Sequence, residues 1–353
     1  VLYERIGRGG QGQVWRAWQA SLSREVAVKQ SFDGSVLDFL HEAYTSAELD
    51  HPNIVPVYDM GAPPEDASTG PMMAMKLVRG ETWIRLLRDE RAAPDLDREA
   101  YLARHLRILV DVANAVAYAH AKGIIHRDLK PHQVMVGRFG EVYLMDWGMA
   151  LSLRDDSPTS PREGIAKFHT RRNARNQCGT PAYMAPEQTD EAIAPLGFHT
   201  DIYLLGAILF EIINAEPPHN APTAAEAYDD AAANRIRPLH DGCPEELRDL
   251  LARSLDTEPS RRPTSVEAFR DALDAYLGNS GRRSESRRLT DDVVLELARA
   301  SRDSLDYRAL ASLEQRASRA LTLWPDNRRA ADLLDQLHLR HAEKALALAD
   351  LRL

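Results

Sequence analysis

The stretch His126–Gly137, HRDLKPHQVMVG, sets a carboxylate, an ammonium and an amide close together at Asp128, Lys130 and Gln133. Such a loop can align a hydroxyl with a nucleotide phosphate. Upstream, IGRGGQGQV places Gly7, Gly9 and Gly12 in a G-x-G-x-x-G-x-V pattern. Without a Cβ, backbone amides there can approach an anion. A dinucleotide fingerprint must open a helix after a strand. Here QVWRAWQ, a turn at Ser21–Ser23 and REVAVK follow, a strand–loop–strand context. That favours a glycine flap over a nucleotide's phosphates, while a glycine-rich hairpin without ligand fits this segment alone about equally well. Lys29 ends VAVK, an alternating run whose apolar members face a core. A buried ammonium needs an anionic partner; Glu42 can supply one and a phosphate another. A solvated strand-end lysine is the commoner fate at such a place.

These residues need rigid elements to hold them. Up to about residue 79 the chain alternates apolar and polar residues in short runs, LYERIG, GQVWRAW, REVAVKQ, IVPVYDMG and MMAMKLV, which predict strands. One helix interrupts them at SVLDFLHEAYTSAEL, with Val36, Leu40, Ala43 and Ala47 at helical spacing. From Glu81 onward helices dominate. REAYLARHLRILVDVANAVAYAHAKG stops at Gly123, a C-cap signal, and YLLGAILFEIIN, apolar all round, predicts a buried helix. Residues 151–177 read as a long polar loop, GNSGRRSESRR (278–288) as a linker, and 291–353 as two or three helices broken at WPDN.

Bulk properties set outer bounds. With 353 residues the chain has room for two or three domains, and 44% hydrophobic and 27% charged residues suit a globular protein. A formal charge of −9 argues against a nucleic-acid binder with a global basic face. The longest apolar run, Leu204–Ile213, is broken by Glu211 and is too short for a bilayer span of about 20 residues. Two cysteines, Cys178 and Cys243, make no disulfide framework, so a reducing cytoplasm is the default location. The sequence opens at Val1 inside patterned sequence and reads as a fragment without a membrane segment or signal peptide of its own.

GRGGQGQV, VAVK, HPNIV, HRDLKPHQ, MDWG, GTPAYMAPE, TDIYLLG and EPSRRP occur in the order found in protein kinases. Over roughly 1–278 the chain resembles the bacterial eukaryotic-like serine/threonine protein kinase family; its DWG tripeptide looks like that of planctomycete and myxobacterial kinases. The resemblance implies an α+β, bilobal protein-kinase-like fold: a small β-sheet lobe (about 1–79), a larger helical lobe (80–278), a linker (279–290) and a helical extension (291–353). RALTLWPDNRRAADLL is similar to one tetratricopeptide-type helix pair, which leaves two readings equally open: a protein-binding array or a brace for the large lobe.

The same resemblance implies ATP and Mg²⁺, with Mn²⁺ as an alternative metal, and protein substrates bearing Ser or Thr. Gly7, Gly9 and Gly12 would cover the phosphates, and Lys29 would hold them while pairing with Glu42. Val14 and Ala27 would enclose the adenine from above and Met135 from below, with Met75 as gatekeeper and Lys76 to Val78 as hinge. Asp128 would orient the substrate hydroxyl, Lys130 would stabilise charge at the γ-phosphate, and Asp146 would hold the metal. His126, Arg127, Asp201 and the Glu187–Arg262 pair read as structural.

Two departures stand out. Gln133 occupies the place of an asparagine metal ligand and is one methylene longer, which predicts weaker binding of a second metal because Mg²⁺ demands near-octahedral geometry. The activation segment, about 146–187, has Asn176 where a switch threonine is usual. Ser157, Thr159, Ser160 and Thr170 remain candidate phosphosites near Arg171, Arg172 and Arg175. An active kinase is the leading expectation, a pseudokinase scaffold the alternative, and transfer to a non-protein acceptor a minor third.

Overall fold

The computed structural model of the chain describes residues 1–9, 12–32, 36–61, 70–93, 95–154, 167–170, 178–190, 192–299 and 306–347. It divides into two compact units, Val1–Asp274 and Ala275–Leu353.

The first unit opens with β1 (Leu2–Gly9), β2 (Gly12–Gln19), β3 (Arg24–Ser31), helix α1 (Val36–Glu48), β4 (Val57–Gly61) and β5 (Met72–Met75). The strands form one five-stranded sheet in the order β1-β2-β3-β5-β4, with every neighbouring pair antiparallel. The alternation that predicted strands is realised with two trims: β5 stops at Met75, short of the expected Val78, and β4 begins only at Val57. Ile54 is not in β4 but bridges Leu144 in parallel, since Pro56 has no N–H to give a ladder and its carbonyl instead accepts from Lys76 N at 3.1 Å. Gly12 is required by close approach, because a Cβ there would lie 2.2 Å from the Gln30 carbonyl oxygen across β2–β3. α1 buries Phe39 and Ala43 against Met73 of β5.

The helical part of this unit begins with β6 (Gly80–Thr82), α2 (Trp83–Arg91) and α3 (Arg98–Ala121). Asp97 caps α3, accepting from Glu99 N and Ala100 N at 3.0 and 3.1 Å, and Gly123 ends it with φ +76°. Next come β7 (Ile124–Ile125), β8 (Val134–Gly137), β9 (Val142–Leu144) and β10 (Leu151–Ser152). They give a β6-β8-β9 sheet and a β7-β10 pair, which bracket the segment 126–133 on both sides. α4 (Pro186–Thr189) and α5 (Phe198–Asn214) follow, then α6 (Ala224–Ala232), α7 (Glu245–Ser254) and α8 (Val266–Gly278). α5 is buried on all faces from Thr200 to Ile213, as its unbroken apolar sequence predicts. No helix among the described residues is long and apolar enough to cross a membrane.

The second unit corrects one expectation. Residues 280–290 are not a linker but the first half of α9 (Ser280–Arg299), which is followed by α10 (Tyr307–Leu323) and α11 (Arg328–Ala347). Val293, Leu310, Leu313, Ala317, Leu333 and Leu337 make its core. The polar half of α9 is held by hydrogen bonds. Ser286 Oγ donates to Ala320 O at 2.7 Å, and Asn327 Nδ2 donates to Ser286 Oγ and Thr290 Oγ1 at 2.9 and 3.1 Å.

Candidate active site

β3 carries Lys29 between Val14 of β2 and Met73 of β5, and its side chain is only 13% exposed. Its ammonium is in short contact with Glu42 Oε1 on α1 and lies 3.6 Å from Asp146 Oδ1. Burial works against the lysine's charge, but the Glu42 and Asp146 carboxylates outweigh it and hold Lys29 above the ordinary lysine range. Burial pushes Glu42 upward as well, against the pull of Lys29. Glu42 Oε2 is buried with no hydrogen-bond partner among the described residues.

The loop between β7 and β8 is shaped from below by α5. Asp201, fully buried, accepts from His126 N at 2.8 Å, Arg127 N at 2.9 Å and His120 Nε2 at 2.8 Å. Burial alone would raise this aspartate, yet the His120 donor and the backbone amide hold it below its ordinary value. Arg127 adopts φ 69°, a left-handed conformation that the Asp201 clamp sustains. It is buried, and its Nε donates to Met149 O at 2.6 Å. The His126 ring packs against Trp147, tilted at 54° with centroids 4.7 Å apart. Its Nδ1 accepts from Asp128 N at 3.3 Å, so Nε2 carries the hydrogen facing Met145 O at 3.4 Å, and burial keeps the ring neutral by lowering its pKa.

Asp128 is 4% exposed. Its Oδ1 accepts from Thr180 Oγ1 at 2.7 Å, and its Oδ2 accepts from Lys130 Nζ at 2.7 Å and Gln133 Nε2 at 2.8 Å. Lys130 Nζ also donates to Thr180 Oγ1 at 2.5 Å. Gln133 Nε2 stands 3.4 Å from Asp146 Oδ2, so one amide links the two aspartates. Asp146 takes φ 62° and keeps its side chain 46% exposed. Gln133 Oε1 is buried with no hydrogen-bond partner among the described residues. An orphaned amide oxygen beside an exposed carboxylate fits a hard divalent cation, which takes oxygen ligands.

The remaining expected positions fall around this centre. Gly7 pairs with Val14 and Gly9 with Gly12, toward the end of the pair where the chain passes from β1 to β2. Ala27 pairs with Met75 across β3–β5, and Met135 pairs with Tyr143 across β8–β9. Lys76 and Val78 follow β5 outside any strand. The Lys76 ammonium is in short contact with Tyr143 Oη. Farther off, Glu187 and Arg262 form a bidentate pair at 2.6 and 2.9 Å with both side chains at 0% exposure. Of the candidate phosphosites, Ser157, Thr159 and Ser160 lie outside the described residues, as do Asn176, Arg171, Arg172 and Arg175. Thr170 is buried at 7% exposure, bridging Ser152 in parallel, so a phosphate there would first require the segment to move.

Two contributors carry no readable sequence signal. His120 ends α3 as any helix-terminal histidine could. Gln188 donates to Arg127 O at 2.7 Å and Cys178 O at 3.0 Å, joining the loop to the following segment.

An ammonium paired to α1, a carboxylate wrapped by three donors and a second, exposed aspartate thus lie close together, and residues 1–273 match the family described as protein kinase domain. The chain belongs to that family. Among its relatives, the serine/threonine-protein kinase PknD of Protochlamydia amoebophila is 34% identical over 245 residues, 64% of this chain and 24% of that protein. PknD of Chlamydia abortus is 31% identical over 297 residues, covering 79% of this chain and 31% of the relative. PknD of Chlamydia muridarum is 31% identical over 319 residues, covering 83% and 32%. This protein kinase domain chain therefore spans a third or less of the length of these relatives.

Proposed function

We propose that the chain is a protein serine/threonine kinase that transfers the γ-phosphoryl group of ATP to protein hydroxyls. The observation that carries this reading is the Asp128 carboxylate, held by Lys130, Thr180 and Gln133 beside Asp146. The names of the PknD relatives support it.

In the proposed reaction the substrate oxygen forms a bond to the γ-phosphorus as the bond to the β–γ bridging oxygen breaks. ADP leaves, and the hydroxyl proton passes to Asp128. Little covalent work falls to the protein, so its contribution is position and charge. Asp128 accepts the hydroxyl as a hydrogen-bond donor in line with the phosphate. Lys130 neutralises charge on the transferring group, and Lys29, steered by Glu42, holds the α- and β-phosphates. Gly7, Gly9 and Gly12 present backbone amides, Val14, Ala27, Met75 and Met135 enclose the base, and Lys76 and Val78 offer hinge backbone groups. Asp146 and Gln133 are the residues that would hold Mg²⁺, which neutralises phosphate charge when bound. Gln133 reaches Asp128 with its nitrogen while leaving its oxygen unpartnered, so this site keeps the donor set of a metal site with one more torsion to freeze. We expect weakened binding of a second ion and retained transfer.

The test is incorporation of label from γ-labelled ATP into the chain and a generic protein acceptor, with Mg²⁺ and separately with Mn²⁺. Label should enter with the parent and vanish with Asp128→Asn. Equal incorporation by both proteins would exclude Asp128 from the chemistry. ATP-dependent thermal stabilisation with no transfer under either metal would establish a nucleotide-binding scaffold instead.

A further inference from the structure

We propose that Asp38, His41 and His169 form a divalent transition-metal site, suited to Zn²⁺, that ties α1 to the segment following β10. Asp38 and His41 stand three apart on α1 and so share one helix face. His169 reaches them from a position 128 residues farther along the chain. His41 Nδ1 lies 3.0 Å from His169 Nε2, His169 Nε2 lies 3.6 Å from Asp38 Oδ1, and the three ligand atoms all fall within 4.8 Å of one another. Two nitrogens bound at about 2.0–2.1 Å on a tetrahedral zinc sit roughly 3.3 Å apart. The two spacings from His169, 3.0 and 3.6 Å, bracket that value and the third pair lies within 4.8 Å, so side-chain rotations would admit the ion.

The donor chemistry selects the metal class. Two imidazoles with one carboxylate suit zinc and its neighbours and leave a fourth position for water, whereas Mg²⁺ prefers all-oxygen surroundings. Access is graded: His41 is 8% exposed, while the His169 and Asp38 side chains are 17% and 46% exposed. The competing arrangement is a hydrogen bond between the two rings, one donating and one accepting, in which Asp38 takes no part.

Position gives the site a consequence. His41 immediately precedes Glu42, the residue in contact with Lys29, and His169 adjoins Thr170, which bridges Ser152 of β10. An ion held by both histidines would pin α1 at the turn that delivers Glu42. That regulatory role rests on the kinase reading above; the metal site itself does not.

The binding test needs no activity. The untagged, metal-free 353-residue chain is titrated with Co²⁺ in excess Mg²⁺, the visible absorption of the bound ion is followed, and Zn²⁺ is then added to displace it. We expect one equivalent with tetrahedral-type bands, loss of those bands in His169→Ala, and affinity weakened on the order of tenfold or more in Asp38→Asn. Zn²⁺ should raise the melting temperature of the parent and not that of His169→Ala. Asp38→Asn, a half-exposed change on α1, keeps the test valid should His169→Ala fold poorly. Absence of a stoichiometric band, or equal binding by parent and both variants, would overturn the site. Phosphoryl transfer can fail while this titration succeeds, so the two proposals fall separately.

Discussion

The Glu187–Arg262 pair and the Lys29–Glu42 pair are both withdrawn from water, yet their spare hydrogen-bonding capacity is handled in opposite ways. Glu187 uses both oxygens on Arg262 and takes a further bond from Thr200 at 3.1 Å. Arg262 spends its other donors on the His199 and Asp256 carbonyls at 3.0 and 2.9 Å. Among the described residues Glu42, by contrast, leaves Oε2 without a partner, and Asp146 lies 3.6 Å from the Lys29 ammonium. Ammonium has three donors, so Lys29 holds capacity in reserve. A buried pair with every valence filled is a fastening; one with valence left over waits for a ligand.

Removing a partner should separate the two pairs, and the fastening should lose most. Arg262→Met strands a fully buried carboxylate and should cost about 3–5 kcal/mol of stability, measured by urea unfolding. The protein that remains folded should transfer phosphate normally per molecule. The double variant Glu187→Gln/Arg262→Met should recover much of that loss, because no lone charge is left behind. Lys29→Met should behave the other way round. Transfer should fall by about 10²–10³-fold, as when one donor to developing charge is lost, while stability changes little because Glu42, already pushed upward by burial, can take a proton. If Lys29→Met proved the more destabilising of the two, the contrast between fastening and reserve would collapse.

The sequence made the members of both pairs legible, because ordered motifs place each on a nameable element: Lys29 at a strand end, Glu42 in the next helix, Glu187 after GTPAYMA. It also located Asp201 as an anchor for the loop, which its bonds to His126 N and Arg127 N bear in geometry. What stayed hidden depends on long-range contact. His120 completes Asp201, and His41 meets His169, with nothing local to announce either. α9 misled for a related reason. GNSGRRSESRR has linker composition, but Ser286 and Thr290 are buried in a helix because Asn327 satisfies them from elsewhere in the unit. Polarity predicts solvent only where no partner comes to meet it.

Acid should sharpen the same contrast at lower amplitude. His126 is held below ordinary histidine by burial, so the unfolded chain takes up that proton first, and stability should decline as pH falls below about 6.5. Burial would raise Glu187, but its hydrogen bonds and charge pairing with Arg262 hold it below its ordinary value of 4.5. Its contribution is therefore complete above 4.5 and is lost as pH falls from there through the lower folded value. Unfolding midpoints measured from neutral to acid pH should show both declines in the parent, and Glu187→Gln should make the second shallower, leaving the share of Asp201, while keeping the first.

Gln133 is the residue where reserve and fastening meet, and its replacement should give the smallest effect. Its Nε2 fastens Asp128 at 2.8 Å, while its Oε1 is left over. Gln133→Asn removes one methylene from a side chain that is only 6% exposed, at a stability cost of about 1 kcal/mol for the small void. The shorter amide has one torsion fewer to freeze around an ion, so the Mg²⁺ concentration giving half-maximal transfer should fall by a few-fold, with Mn²⁺ less affected because its geometry is less demanding. Should the Mg²⁺ requirement rise instead, the longer side chain would be the better fit for this pocket. The orphaned oxygen would then be a ligand at its proper reach, and no impairment of the metal site would remain to explain.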